Sequence, residues 1–305
     1  GIMKRLTLLL IVVFSLGLFA ASVDFKMDGA VEVTQLANTD TQEVGWGEVR
    51  ATFMAKKGST SVIWIPRIDK IIGGSASYIA DYLWVQTMTD FGLLKAGKMR
   101  IGFQNKKGYY GCSTFIAMTA QKGVGVALQT DIAGFPVVIQ HLGPVFFLDE
   151  SAPNGEGKYS TAALVKGGMW NAALVYNGDE SAASAVNGIS LYGDVSMEMS
   201  GVNVMAQVFY DLSDDAVSAA IFNPSSISDA RQLVNVYADT MLAGMKVYGN
   251  GLFDLNKSAY EYQLSGGVSY PLSSEVNGIV DIMAQKSAGG TESNAVTLML
   301  DFAVN

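Results

Sequence analysis

The chain has 305 residues, enough for one large β domain or two ordinary ones. Only 16% of it is charged, against roughly 25% in typical soluble domains, and its mean hydropathy is +0.27; this composition argues against an outer surface built for water. The net charge of -8 and pI of 4.7 exclude nucleic acid as a partner, since phosphate binding needs a basic footprint, and the single cysteine, Cys112, excludes an intrachain disulfide.

The first elements read as an export signal. Lys4 and Arg5 form a positive head, Leu6 to Ala20 is an apolar run, and Ala20-Ala21-Ser22 supplies the small residues for a cut after Ser22. The run is just short of the roughly 20 residues a membrane helix needs. Residues 1–22 are therefore expected to be a signal peptide, with Gly1-Ile2 ahead of Met3 outside the fold. Residues 23–305 are expected to be one domain, with no second apolar run long enough for a spanning helix.

From Val23 the pattern has period two. Val23, Phe25, Met27, Val31 and Val33 alternate with Asp24, Lys26, Asp28 and Glu32. Farther on, TDFGLLKAGKMRIGF at 89–103 sets Lys95, Lys98 and Arg100 inside a strand-like run after an Asp-Phe-Gly corner. Between Gly188 and Met199, Ile189, Leu191, Gly193, Val195 and Met197 alternate with Ser190, Tyr192, Asp194, Ser196 and Glu198. Tyr260 to Tyr270 gives an apolar face that begins and ends on tyrosine, and Val296 to Val304 repeats the alternation. These segments are about ten residues long, the length a tilted strand needs to cross a bilayer, with tyrosine at both interfaces.

Connections alternate between tight and long. Tight turns are predicted at Lys57-Gly58, Asp90-Phe91-Gly92, Lys122-Gly123, Gly143-Pro144, Gly167-Gly168, Ser200-Gly201 and Pro271 to Glu275. Longer loops are predicted at 38–44, 66–77, 104–111, 149–158, 177–187 and 213–229. The expected fold is all-β: a transmembrane antiparallel barrel of about 16–18 strands. The weakest segments are Val145 to Leu148 and Val234 to Asp239. Such a barrel is on the order of 30 Å across, too wide for side chains to fill, so its bore holds water or a plug.

A polar, mixed-sign set is expected on the inner wall. Its basic members are Arg50, Lys98 and Arg100. Its acidic members are Glu32, Glu48, Asp194, Glu198, Glu261, Asp281 and Asp301, joined by Asn203, Gln207 and Gln263. In the 89–103 segment, Leu94, Ala96, Lys98 and Arg100 are assigned to water, and Leu93, Gly97, Met99 and Ile101 to lipid. Lys95 then falls on the lipid parity, where it either snorkels to the interface or is moved by a bulge near Gly97.

DFGLLKAGKMRIG resembles the hairpin of the general bacterial porins, in which a basic residue follows a glycine. Gly92 and Gly97 match the glycines and Lys98 the basic residue. The resemblance implies an outer-membrane barrel, an inward basic strip facing an acidic constriction, and a homotrimer. The loop that follows, 104–111, is short and basic here, which leaves 149–158 or 213–229 to narrow a pore. The chain ends Phe302-Ala303-Val304-Asn305 rather than on an aromatic residue.

Catalysis and metals find little support. His141 is the only histidine and has no nucleophile motif beside it, and one histidine with one cysteine is too few for a zinc site. Pairs such as Asp149-Glu150 and Asp214-Asp215 read as solvated loop charges. The expectation is therefore a passive channel for small hydrophilic solutes and ions, with the lipid bilayer as partner and no cofactor. The alternative is a structural barrel that scaffolds or tethers the envelope with little conductance. A barrel enzyme using His141 is a third reading.

Overall fold

A computed structural model describes residues 22–36, 42–69, 77–100, 122–143, 158–179, 186–212, 232–256 and 260–304. The strands of the first half are β1 (Ser22–Leu36), β2 (Gln42–Lys57), β3 (Thr60–Asp69), β4 (Ser77–Thr89), β5 (Gly92–Arg100), β6 (Lys122–Ile132), β7 (Phe135–Gly143) and β8 (Lys158–Lys166). Those of the second half are β9 (Trp170–Asp179), β10 (Val186–Met199), β11 (Val202–Asp211), β12 (Gln232–Leu242), β13 (Met245–Asp254), β14 (Tyr260–Pro271), β15 (Val276–Ser287) and β16 (Glu292–Val304).

These 16 strands form a closed antiparallel barrel in which each pairs with its neighbours in sequence and β1 pairs with β16. Closure satisfies every strand's backbone within the sheet, the condition for crossing lipid without helices. The weak segment at Val234 to Asp239 lies within β12. The signal segment, Val145 to Leu148, Asp149-Glu150 and Asp214-Asp215 lie outside the described residues, as do the loops expected at 104–111 and 213–229 and all but the last residue of that at 149–158.

Short and long connections alternate from β1 to β14, and the two that join β14, β15 and β16 are four residues each. One rim carries tight turns at 58–59, 90–91, 133–134, 167–169, 200–201, 243–244 and 272–275. Two predicted turns are corrected. Lys122-Gly123 opens β6, and Gly143 closes β7 at the opposite, long-loop rim. The hairpin between them turns instead at Ala133-Gly134, and a further one turns at Ala243-Gly244. In Ala133-Gly134, Ser200-Gly201 and Ala243-Gly244 both residues have positive φ, near +50° for the first and +80° for the second. This is the two-residue geometry whose twist matches that of the flanking strands.

The outer face is apolar. Leu174, Leu191, Val208, Val236, Leu264, Ile282 and Leu298 project from β9 to β12 and β14 to β16 and are exposed. Aromatic residues edge this band at both rims. Phe135, Trp170 and Tyr270 lie near the tight turns, with the Phe135 and Trp170 rings 6.0 Å apart. Tyr159, Tyr176, Tyr210 and Phe253 lie near the long loops. An apolar belt between two aromatic girdles is the outer surface of a membrane barrel.

Candidate functional site: the inner wall of the barrel

The alternate residues of the same strands face inward, and pairing register lines their polar groups into rows. One row crosses Asn171, Asp194, Gln207 and Asn235 on β9 to β12. Asn171 Nδ2 donates to Asp194 Oδ1 at 2.8 Å, and Asn235 Nδ2 donates to Gln207 Oε1 at 2.9 Å. Tyr192 links the two halves: its hydroxyl donates to Asp194 Oδ2 at 3.0 Å and accepts from Gln207 Nε2 at 2.7 Å. The link exists because Tyr192 and Asp194 are two apart on one strand and so share its inner face.

A second row runs Glu198, Asn203, Asp239, Tyr248, Gly267, Asp281 and Thr297, from β10 to β16. Asn203 Nδ2 donates to Asp239 Oδ1 at 2.9 Å, and the Tyr248 hydroxyl donates to Asp281 Oδ2 at 3.0 Å. Farther along, Gln263 donates to Gln285 across β14 and β15 at 3.1 Å. Asp211 and Asp254 are also buried on this wall. The β10–β16 half of the interior is thus strongly acidic and cross-linked by amide and phenol donors.

The predicted residues divide as follows. Asp194, Gln207, Gln263 and Asp281 are buried on the inner face; Asp301 shares it by register, and Asn203 joins them through Asp239. Glu198 is exposed beside the Ser200-Gly201 turn. Glu261 forms a 2.9 Å ion pair with Lys286 at the long-loop rim, where such a pair contributes little. Arg50 pairs with Asp28 on β1 and Arg67 on β3, on the sheet face opposite Phe53. Glu32 pairs with Met299, Glu48 with Asp69 and Arg100 with Lys122; the side chains of Glu32, Glu48 and Arg100 lie outside the described residues.

The face assignment of β5 is reversed at Leu94, Lys95, Ala96 and Met99. Leu94 and Ala96 are exposed on the outer surface, beside Ile139 and Val126 of the neighbouring rows, and Lys95 and Met99 line an inner cavity. Lys98 pairs with Leu83 and Val124, on the sheet face of Ala96 by register, and is 5% exposed. Two inner basic residues that sequence reasoning missed are Lys95 and Lys166. Polarity on β5 gave conflicting signals, because Lys95 and Lys98 have opposite parity on a short strand with leucines on both faces.

Gly97 explains the local backbone. Its φ is +135°, and a Cβ there would lie 2.7 Å from Trp84 Cα and closer still to the Leu83 carbonyl oxygen. Only glycine lets β5 approach β4 so closely.

His141 lies on the outer face, where its Nδ1 is 2.9 Å from the Thr161 hydroxyl and its ring 6.0 Å from that of Tyr159. Among the described residues no cluster of acidic, histidine and cysteine side chains could hold a metal ion.

No protein-family model and no curated protein matches the chain. Solved structures do. A mutant of the Rhodobacter blastica porin superposes with TM-score 0.58 at 12% identity, covering 93% of this chain and 100% of that one. OmpT, an outer membrane protein of Vibrio cholerae in its trimer form, gives 0.59 at 13% identity over 93% and 99%. A loop-deletion mutant of OmpT gives 0.61 at 12% over the same shares. At these identities the likeness shows the fold: this chain has the 16-strand barrel architecture of the porins.

Proposed function

We propose that this protein is an outer-membrane channel through which small hydrophilic solutes and ions diffuse passively. The observation that carries this reading is the two-sided wall. Apolar residues between aromatic girdles cover the outside, while aspartates, asparagines and glutamines in cross-strand rows line the inside. A charged group on the lipid face would cost about 2–4 kcal/mol for Arg or Lys near the midplane, whereas a wet lumen tolerates it. The field inside follows from the sorting of charge, with carboxylates on β10–β16 and Lys95 and Lys166 on β5 and β8. Arg50 belongs to the same inner wall in this reading. Assembly as a homotrimer is part of the proposal. It rests on likeness to the trimeric OmpT form and on the small outward residues Ala172 and Gly193, paired across β9 and β10.

A second reading, a barrel that scaffolds the envelope with a filled bore, is favoured by one observation. Asn235 and Asp281 are 0% exposed and Thr297 is 1% exposed, although all three face inward. Planar-bilayer recording of the refolded protein separates the two. Stepwise conductance supports the channel, and a silent bilayer containing folded barrels supports the scaffold.

A further inference from the structure

The basic side of the inner wall contains a cavity of about 270 Å³. Lys95 and Lys166 both line it. Lys95 stands three positions after Gly92, and Lys166 stands just before the turn at 167–169, so the cavity lies toward the tight-turn rim. Two ammonium groups facing one small space repel each other unless an anion lies between them. Among the described residues no carboxylate forms an ion pair with either lysine. This is unusual on an inner wall otherwise rich in carboxylates that have partners.

The rest of the lining is not what a hydrated inorganic ion requires. Gln129 and Gln140 line part of it, but Tyr82 and Trp84 supply an aromatic shelf, their rings meeting edge to face at 6.3 Å and 77°. The Trp84 indole N–H is already committed to Gln86 Oε1 at 3.1 Å, so the ring presents its apolar surface. The volume is just below the range of drug-sized sites, which suits a compact molecule.

From these features we infer that the cavity is a binding site for a small organic carboxylate with a flat apolar body. The carboxylate lies between Lys95 and Lys166, and the body rests against Trp84 and Tyr82. The inference rests on the proposed function in one respect only, that aqueous solutes reach the inner wall.

The test uses the full-length protein refolded in detergent, with benzoate as probe and tryptophan fluorescence as readout; Trp84→Phe identifies the reporting ring. Saturable quenching by benzoate is expected, weakened about tenfold or more by Lys95→Gln and by Lys166→Gln. It should be unchanged by Lys286→Gln at the rim and reduced by high salt. Equal binding of benzamide, or unchanged affinity in both cavity variants, overturns the assignment. Inorganic phosphate binding as tightly as benzoate overturns the apolar half of it. If one lysine variant fails to fold, the other and the salt dependence decide. Conductance is recorded separately. Benzoate binding in a silent barrel removes the channel and keeps the site, and an open channel that ignores benzoate removes the site and keeps the channel.

Discussion

Tyr248 on β13 reaches over Gly267 on β14 and donates its hydroxyl to Asp281 on β15, 3.0 Å away. The three positions are one register row, and the middle one is glycine for a steric reason. A Cβ at 267 would lie 2.6 Å from the Tyr248 ring carbon Cζ and 2.6 Å from the Val280 carbonyl oxygen. Gly267→Ala is expected to lift the ring off its neighbour, break the hydrogen bond and destabilise the barrel by about 1–3 kcal/mol. Tyr248→Phe keeps the ring and loses only the bond, at about 1 kcal/mol. Urea unfolding of the refolded protein in lipid, followed by tryptophan fluorescence, ranks the two.

Adjacent residues on β16 test the two-sided wall. Leu298 is 54% exposed on the outer face, and Met299 has the opposite parity and pairs with Ile279. Leu298→Arg is expected to cost about 2–4 kcal/mol, and Met299→Arg much less. Equal losses in bilayer-folded protein would contradict the assignment of faces.

Gly97→Ala tests the tight approach of β5 to β4. With φ of +135° and the Leu83 carbonyl in the way, the variant is expected to lose about 1–3 kcal/mol. The measurement is the temperature at which the folded band is lost on an unboiled gel.

Much of the fold was legible because a membrane barrel writes its two faces into alternate residues. Ile189 to Met199 and Val296 to Phe302 carry that code clearly, and their outward Ile189, Leu191, Val195, Met197, Val296, Leu298 and Leu300 are exposed in the structure. On β5 the code fails, because Lys95 and Lys98 compete for the inner face and Gly97's backbone leaves no trace in hydropathy. The turns at Ala133 and Ala243 were missed because alanine is a poor left-handed residue, held there by the hairpin rather than by its own preference. The acidic rows were visible as separate inward carboxylates, but their hydrogen-bonded partners depend on register, which one strand's sequence does not contain.

The same turns give a stabilising prediction. Ala243 has φ of +50° in a two-residue hairpin before Gly244. Asparagine adopts this conformation more readily, so Ala243→Asn is expected to raise stability by up to about 1 kcal/mol. The midpoint of urea unfolding should rise without a change in slope.

The inner carboxylates predict ion preference. Asp239→Asn with Asp281→Asn removes two charges from the β10–β16 wall while keeping hydrogen-bonding groups of similar shape. In a salt gradient the reversal potential of the open channel is expected to move toward that of the anion.

Met27 to Leu36 of β1 meet their second set of backbone partners only in Ala295 to Val304 of β16. Until the thirteen residues of β16 are in place, the molecule is a curled ribbon with two raw borders, each able to zip onto another ribbon. Assembly therefore ends with a seam drawn between the first strand and the last. A chain cut short before Glu292 would be left gaping, and it would be a hazard to its neighbours as well as a failed barrel.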